Sequence, residues 1–209
     1  MLDIVISHCD EPWYICRKQF QMLDMQRVVN WNEIRVIVVN DGGLHVSEEE
    51  LKQLTFPVEQ IDIPKRGVSA ARNAGMDYGT EPWIMFCDCD DCFTHIYALD
   101  EILTAVRRHA NSDMVWTQCM TEFGRIVVPI AGHRKMVFIH GKVYRRAFLE
   151  ENGIRFDENV HYGEDTLFND VVTAKTERIA QAPCRWEPYV WIRRGGSVTT
   201  RGKKAEDEA

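Results

Sequence analysis

Gly67-Val-Ser-Ala-Ala-Arg72-Asn-Ala-Gly75-Met-Asp-Tyr-Gly79-Thr-Glu-Pro82-Trp-Ile-Met-Phe-Cys87-Asp88-Cys-Asp90-Asp91 reads as a helix, a turn, a buried strand and a carboxylate cluster. Residues 69–76 are rich in Ala, with Arg72 and Asn73 between, a helix-forming composition. Gly79 stops that helix and Pro82 cannot continue it. The apolar run over 83–87 is bounded by turn signals and predicts a fully buried strand. Asp88, Asp90 and Asp91 then emerge where that strand meets solvent, the edge at which open α/β sheets bind ligands. Carboxylates this close repel one another unless a cation or hydrogen-bond donors neutralise them. Oxygen-only donors suit Mg or Mn. If strand geometry persists past Asp88, then Asp88 and Asp90 share a face, which makes them the expected metal ligands. The competing reading is a solvated, turn-forming acidic loop.

The whole chain bounds what this stretch can belong to. Its 209 residues, 45% hydrophobic and 27% charged, suit one globular domain. A net charge of −7 argues against general polyanion binding, though not against a local basic patch. The opening Met-Leu-Asp-Ile-Val-Ile-Ser has no basic region and reads as a strand, not a signal peptide. No apolar run approaches a membrane span, and seven cysteines without a regular framework suggest reduced thiols, hence a cytoplasmic expectation. Cys87, Cys89 and Cys92 lack the second pair that a zinc site needs, so they read as small buried residues.

Taken in order, strands are expected over 2–7, 33–40, 58–63 and 83–87. Helices alternate with them, over about 12–29, a short one capped by Ser47, and 69–76. That alternation implies a mostly parallel sheet with right-handed crossovers. Polar residues recur at each strand's C-terminal end: Ser7 to Asp10, Asn40-Asp41, Lys65-Arg66 and Asp88 to Asp91. No Gly-x-Gly-x-x-Gly follows the first strand and no P-loop is present, which disfavours dinucleotide and P-loop chemistry. The second half changes character. Helices are expected over 95–109 and 144–152, and strands over 114–119, 125–130, 136–139 and 189–192. Glu164-Asp165 falls at the start of a further helix, whose dipole favours an ionised carboxylate. Residues 201–209 read as a disordered tail.

Val-Asn-Asp41-Gly-Gly, Ser-Ala-Ala-Arg72-Asn-Ala-Gly and Phe-Cys-Asp88-Cys-Asp90-Asp91 are followed by Gly-Lys-Val-Tyr-Arg-Arg, Phe-Asp-Glu-Asn and Gly-Glu164-Asp165. In that order they resemble the GT-A core of the family 2 glycosyltransferases, over nearly the whole of residues 2–200. The resemblance implies one GT-A domain over 1–200, with a nucleotide-binding half (1–91) and an acceptor-binding half (92–200). It implies an inverting, metal-dependent enzyme that moves a sugar from a nucleotide-diphosphate donor, by default a UDP-sugar, to an acceptor hydroxyl. Asp41 would hydrogen-bond the base, and Arg72 would lie alongside base and ribose. Asp88 would meet the ribose or the metal shell, and Asp90 would bind Mn or Mg under the diphosphate. Asp165 would be the catalytic base, with Glu164 placing the acceptor. Ser7, His8 and Asp10 would join the nucleotide-sugar contacts, and Arg194 and Ser197 resemble a late loop that closes over the diphosphate. Where the family usually has Pro-Thr-Tyr-Asn, this chain has Ser7-His8-Cys9-Asp10, so a cysteine stands where a tyrosine near the base is expected.

The chemistry agrees with these residue types. A metal stabilises the leaving diphosphate, and a base takes the acceptor proton on the opposite face of the sugar. One base without a carboxylate nucleophile favours a single in-line displacement, hence inversion. His140 and His161 read as structural, and Trp31, Trp83, Trp116, Trp186 and Trp191 as mostly core, with one free to stack on a sugar. The acceptor stays open between a soluble glycan, a protein and a hydroxymethylated base in DNA. Arg134-Lys135, Lys142 and Arg145-Arg146 form the basic stretch that would favour DNA, and a solvated face is its alternative. The rival classes are a sugar nucleotidyltransferase, which needs a glycine-rich basic loop that Ser7 to Pro12 does not supply, and a non-catalytic nucleotide-binding module.

Overall fold

The computed structural model describes residues 1–121, 123–124, 138–182 and 184–192. In chain order its elements are β1 (Leu2–His8), α1 (Trp13–Asp24), β2 (Ile34–Asp41), α2 (Glu48–Leu51), β3 (Val58–Ile63) and α3 (Val68–Tyr78). There follow β4 (Trp83–Asp88), β5 (Cys92–Phe93), α4 (Ala98–Arg108), β6 (Met114–Trp116), β7 (Cys119–Thr121), β8 (Lys142–Arg145) and α5 (Arg146–Glu151). The last are α6 (Glu164–Lys175), β9 (Ile179–Gln181) and β10 (Tyr189–Trp191). The main sheet runs β3-β2-β1-β4-β8-β6-β9, and β5-β10-β7 form a small second sheet. β1 to β4 are mutually parallel, whereas β8 runs antiparallel to both β4 and β6. This is the mostly parallel sheet with antiparallel additions that the strand pattern predicts. Among the described residues no helix is long and apolar enough to cross a membrane.

Both faces of the sheet are covered, which explains why its strands read as continuous apolar runs. Leu2, Ile4 and Ile6 of β1 pack with Phe20, Leu23, Leu99 and Ile102 on the α1 and α4 side. Val5, Ile37, Ile84 and Phe86 pack with Ala71, Met76, Phe168 and Val172 on the other. α3 lies close on β1 because its contact residue is Gly75, where a Cβ would come within 2.3 Å of Val5 Cγ1. Asp3 points into the helix-covered face, and its Oδ2 accepts hydrogen bonds from Arg146 Nη2 (2.6 Å) and Glu81 N (2.9 Å).

The parallel register brings four strand ends to one edge. Ser7 sits level with Asp88, His8 with Asn40, and Asp41 with Ile63. β3, α2 and its Ser47 cap agree with expectation, and β4 extends one residue further, to Asp88.

The departures lie mainly in the second half. α1 ends at Asp24 instead of continuing to 29, and Val28 adopts a positive φ of 60° that no helix accommodates. The predicted 95–109 helix is the shorter α4. The predicted 114–119 strand splits into β6 and β7, because Thr117 N and Oγ1 both donate to Gly141 O at 2.8 Å and divert the chain to the small sheet. The predicted 144–152 helix starts only at Arg146. Tyr144 belongs instead to β8, where its ring packs on Phe86 and Phe168 and its hydroxyl donates to Asn169. The predicted 125–130 strand lies outside the described residues, as do positions 136–137 and the tail 201–209. Phe138 and Ile139 are not in a strand.

Candidate active site

A cavity of about 900 Å³ opens at the C-terminal edge of β1, β2 and β4. The strand ends supply Ser7, His8, Asp41 and Asp88, the start of α3 supplies Arg72, and the first turn of α6 supplies Glu164 and Asp165. Asp90 lines it as well. Gly163, at φ 77°, turns the chain sharply into α6, so that both carboxylates face α3 across the cavity.

Arg72 ties these groups together. Its Nη1 donates to Asp165 Oδ1 (2.6 Å) and Glu164 Oε1 (3.1 Å), and Nη2 donates to Asp88 Oδ1 (3.0 Å). Ser7 Oγ donates to the same Asp88 oxygen at 3.0 Å. The guanidinium is 2% exposed and lies 5.2 Å above the Phe156 ring. Asn73, the next residue, exchanges two hydrogen bonds with the Phe156 backbone (both 3.0 Å) and so fixes the segment that leads to α6. Adjacent residues of the Arg-Asn pair thus hold the acidic pair and the chain that presents it.

Arg72 is shared by three carboxylates, Asp88, Glu164 and Asp165. Burial opposes ionisation of Asp88, yet Arg72 and His140 hold its carboxyl below the usual range. Burial and then Asp165 push Glu164 up, and burial with Asp88 and Asp90 pushes Asp91 well up. Burial also lowers His140, and it brings the Lys142 ammonium, near Asp165, down to about 8.

Asp88, Asp91 and His140 each offer a donor atom, all within 4.8 Å of one another. Asp91 Oδ2 and His140 Nδ1 stand 3.5 Å apart, both buried and without a hydrogen-bond partner among the described residues. Two orphaned buried donors beside an ionised carboxylate fit a divalent cation. This candidate cluster shares Asp88 with the expected pair and adds Asp91 and His140, while Asp90, the other expected ligand, lines the same cavity. β4 ends at Asp88, the next residues turn, and Asp91 N donates back to Asp88 O at 3.2 Å, so the alternation of a strand does not continue to Asp90.

The remaining expected residues fall around the rim. Asp41 accepts from Arg66 N (2.6 Å) and Gly67 N (2.8 Å), which pins the loop that enters α3. Asp10 is outside the cavity lining. Its Oδ1 accepts from Leu44 N (2.9 Å) and its Oδ2 from Lys65 Nζ (2.6 Å), so it joins three strand-end loops. Cys9 lines the cavity, and its thiol donates to Asp41 O at 3.5 Å. Arg194 and Ser197 lie outside the described residues. Residues unassigned from sequence also contribute: Glu158, paired with Arg66 across the opening, and Phe138 and Trp191 on the α6 side. Trp186, grouped with the core, is instead 52% exposed and lies under Arg185.

His8 carries a testable charge. Asn40 Nδ2 donates to Asp62 Oδ1 (2.8 Å), which turns Asn40 Oδ1 toward His8 Nδ1 at 3.0 Å, while His8 Nε2 faces Glu11 O at 2.8 Å. Both ring nitrogens therefore meet acceptors. Burial opposes the charge, but Cys16 and the Glu11 carbonyl outweigh it and raise the imidazole from 6.5 to about 9. A folded-state value above the unfolded one stabilises fully below pH 6.5 and is lost as pH rises through about 9. Wild-type Tm is expected to fall roughly 3–6 °C more than that of His8→Gln between these limits, measured by thermal unfolding in matched buffers. Parallel pH profiles would mean His8 is neutral when folded.

A family model described as "Glycosyl transferase family 2" matches residues 4–162. The chain belongs to glycosyltransferase family 2. "Uncharacterized glycosyltransferase YwdF" of Bacillus subtilis is 33% identical to this family member over 166 residues, which is 71% of this chain and 60% of that protein. "Poly(ribitol-phosphate) beta-N-acetylglucosaminyltransferase TarS" of Staphylococcus aureus is 24% identical over 191 residues, 84% of this chain and 33% of that one. The crystal structure of S. aureus TarS 1-349 in complex with UDP-GlcNAc superposes with a TM-score of 0.79 at 20% identity, covering 95% of this chain and 60% of that chain. The fold is thus the GT-A fold that the motif order implies. This family 2 member spans less than two thirds of the length of each of these relatives.

Proposed function

We propose that this chain transfers a sugar from a nucleotide-diphosphate donor, by default a UDP-sugar, to an acceptor hydroxyl, with a divalent cation and with inversion. The observation that carries the reading is the Arg72 bridge, which sets Asp88 at the strand edge and Asp165 on α6 around one guanidinium. Asp165 is the base that accepts the acceptor proton. Glu164 beside it places the acceptor hydroxyl. Asp41, Ser7, His8 and the loop entering α3 hold and orient the nucleotide. Asp88, Asp91 and His140 would hold the cation, which when bound supplies Lewis-acid stabilisation of the diphosphate. A nitrogen donor in the set suits Mn better than Mg. The DNA alternative loses its basic patch among the described residues. Lys142 and Arg146 are buried, Arg146 binds Asp3, and Arg145 caps the carbonyls of Ala110 and Ser112.

The test is donor hydrolysis by purified protein on a panel of UDP- and GDP-sugars with Mn, Mg or chelator. Metal-dependent release of one nucleoside diphosphate is expected, reduced at least about tenfold in both Asp88→Asn and Asp91→Asn. Asp91→Asn with unaltered metal dependence would reject that ligand set. No binding or turnover of any nucleotide sugar, under any metal, would reject the transferase reading itself.

A further inference from the structure

The cavity wall opposite the nucleotide loops is aromatic. The His140 ring lies nearly parallel to Tyr189 (14°, 5.8 Å), to Trp191 (16°, 6.2 Å) and to Phe138 (24°, 6.2 Å). Phe138 and Trp191 are 5.2 Å apart at 34°. Tyr189 is buried behind, whereas Phe138, Trp191 and the edge of the largely buried His140 line the cavity.

Backbone bonds to the site carboxylates fix this pair on both sides. The residue after Phe138, Ile139, donates its N–H to Asp165 Oδ2 (3.3 Å), and Phe138 O accepts from Asn169 Nδ2 (3.2 Å). The residue after Trp191, Ile192, donates its N–H to Asp91 Oδ1 (2.8 Å). Each ring is therefore one peptide from a carboxylate of the site, and Phe138 is tied to the proposed base. At the opposite wall, Ser7, Asp41, Lys65 and Arg66 supply polar and charged groups suited to a nucleotide.

We infer that Phe138 and Trp191 form an acceptor subsite for a pyranose ring, so that the acceptor is a glycan and not an acyclic polyol or a peptide hydroxyl. The inference rests on the transferase reading and names its substrate class. Rigid aromatic faces pair with the C–H-bearing face of a cyclic sugar, and a flexible polyol presents no such face. A ring seated there brings its hydroxyls to the side of the wall where Asp165 is held.

The experiment has a binding arm and a kinetic arm. In the first, methyl β-glucoside, methyl β-N-acetylglucosaminide, cellobiose, ribitol and a serine peptide are titrated into wild type, Phe138→Leu and Trp191→Leu by ligand-observed NMR, with UDP and Mn present. In the second, the same compounds are tested for stimulation of donor turnover, beside turnover without acceptor. At least one cyclic sugar is expected to bind and to stimulate, and ribitol and the peptide are not. Each leucine variant should raise the acceptor KM about tenfold or more, a larger change than any it makes in acceptor-free hydrolysis. Trp191→Phe should retain most of the affinity. Equal stimulation by ribitol or peptide, unchanged acceptor KM, a rise in donor KM alone, or no binding of any cyclic sugar to wild type would each overturn the subsite. Loss of donor hydrolysis in wild type would instead count against the transferase reading, and the binding arm would still decide the subsite.

Discussion

Replacing Asp165 by asparagine is expected to lower the rate of sugar transfer on the order of 10³-fold, the range that removal of a general base produces. The variant keeps an oxygen for Arg72 and loses the group that takes a proton. Its donor KM should hold, because the proposed nucleotide contacts come from the opposite wall. Its fold should hold too, since Asp165→Asn removes one of the negative charges gathered at Arg72 without leaving that guanidinium unpaired. Glu164→Gln is the matched control. Both carboxylates touch Arg72 Nη1, but Asp165 also receives a backbone N–H from a distant part of the chain, Ile139, at 3.3 Å. A fixed orientation is what a base needs, and the smaller loss should belong to Glu164→Gln. Single-turnover transfer with each variant separates the two. A greater loss in Glu164→Gln would reverse their roles.

How much of this was legible beforehand depends on the range over which each interaction acts. β1 to β4 and α3 are visible because long apolar runs, an Ala-rich helix and strong glycine and proline breaks are local signals. In the second half the strands are two to four residues long, and a tertiary event, Thr117 meeting Gly141, sends the chain from one sheet to the other. No window of sequence contains that contact. The site divides the same way. Asp41, Arg72, Asp88, Glu164 and Asp165 were legible because strand ends and helix starts in a parallel α/β sheet face one edge. Asp91 and His140 were not, since their meeting requires the turn after Asp88 and the antiparallel return of β8. Trp191 was grouped with the core on its apolar neighbours, but whether an aromatic residue lines a cavity depends on the sheet beside it, here β5-β10-β7.

The Arg72 bridge makes the other large prediction. Arg72→Met leaves Asp88, Glu164 and Asp165 without the cation they share, inside a site 2% exposed at its centre. Removing one partner from a buried ionic cluster costs about 3–5 kcal/mol. For a domain of this size that is a fall in Tm of roughly 6–20 °C. Arg72→Lys should recover little of it. An ammonium is a point charge, and it cannot span Asp88 on one side and the α6 carboxylates on the other as the fork of Nη1 and Nη2 does. The origin of the loss can be read from its pH dependence. The folded Asp88 carboxyl is held below its usual range chiefly by Arg72 against the opposing effect of burial, so its contribution is present above the unfolded value and disappears as pH falls through the folded one. The gap in Tm between wild type and Arg72→Met should therefore be widest near neutrality and narrow in acid, as the carboxylates left behind take up protons. Adding Asp165→Asn to Arg72→Met should restore part of the lost stability, because it removes one uncompensated charge, whereas in wild type the same change restores none. A gap that stays constant from neutral pH into acid, with no rescue by Asp165→Asn, would assign the loss to the contact of the guanidinium with Phe156 and not to the charge it balances.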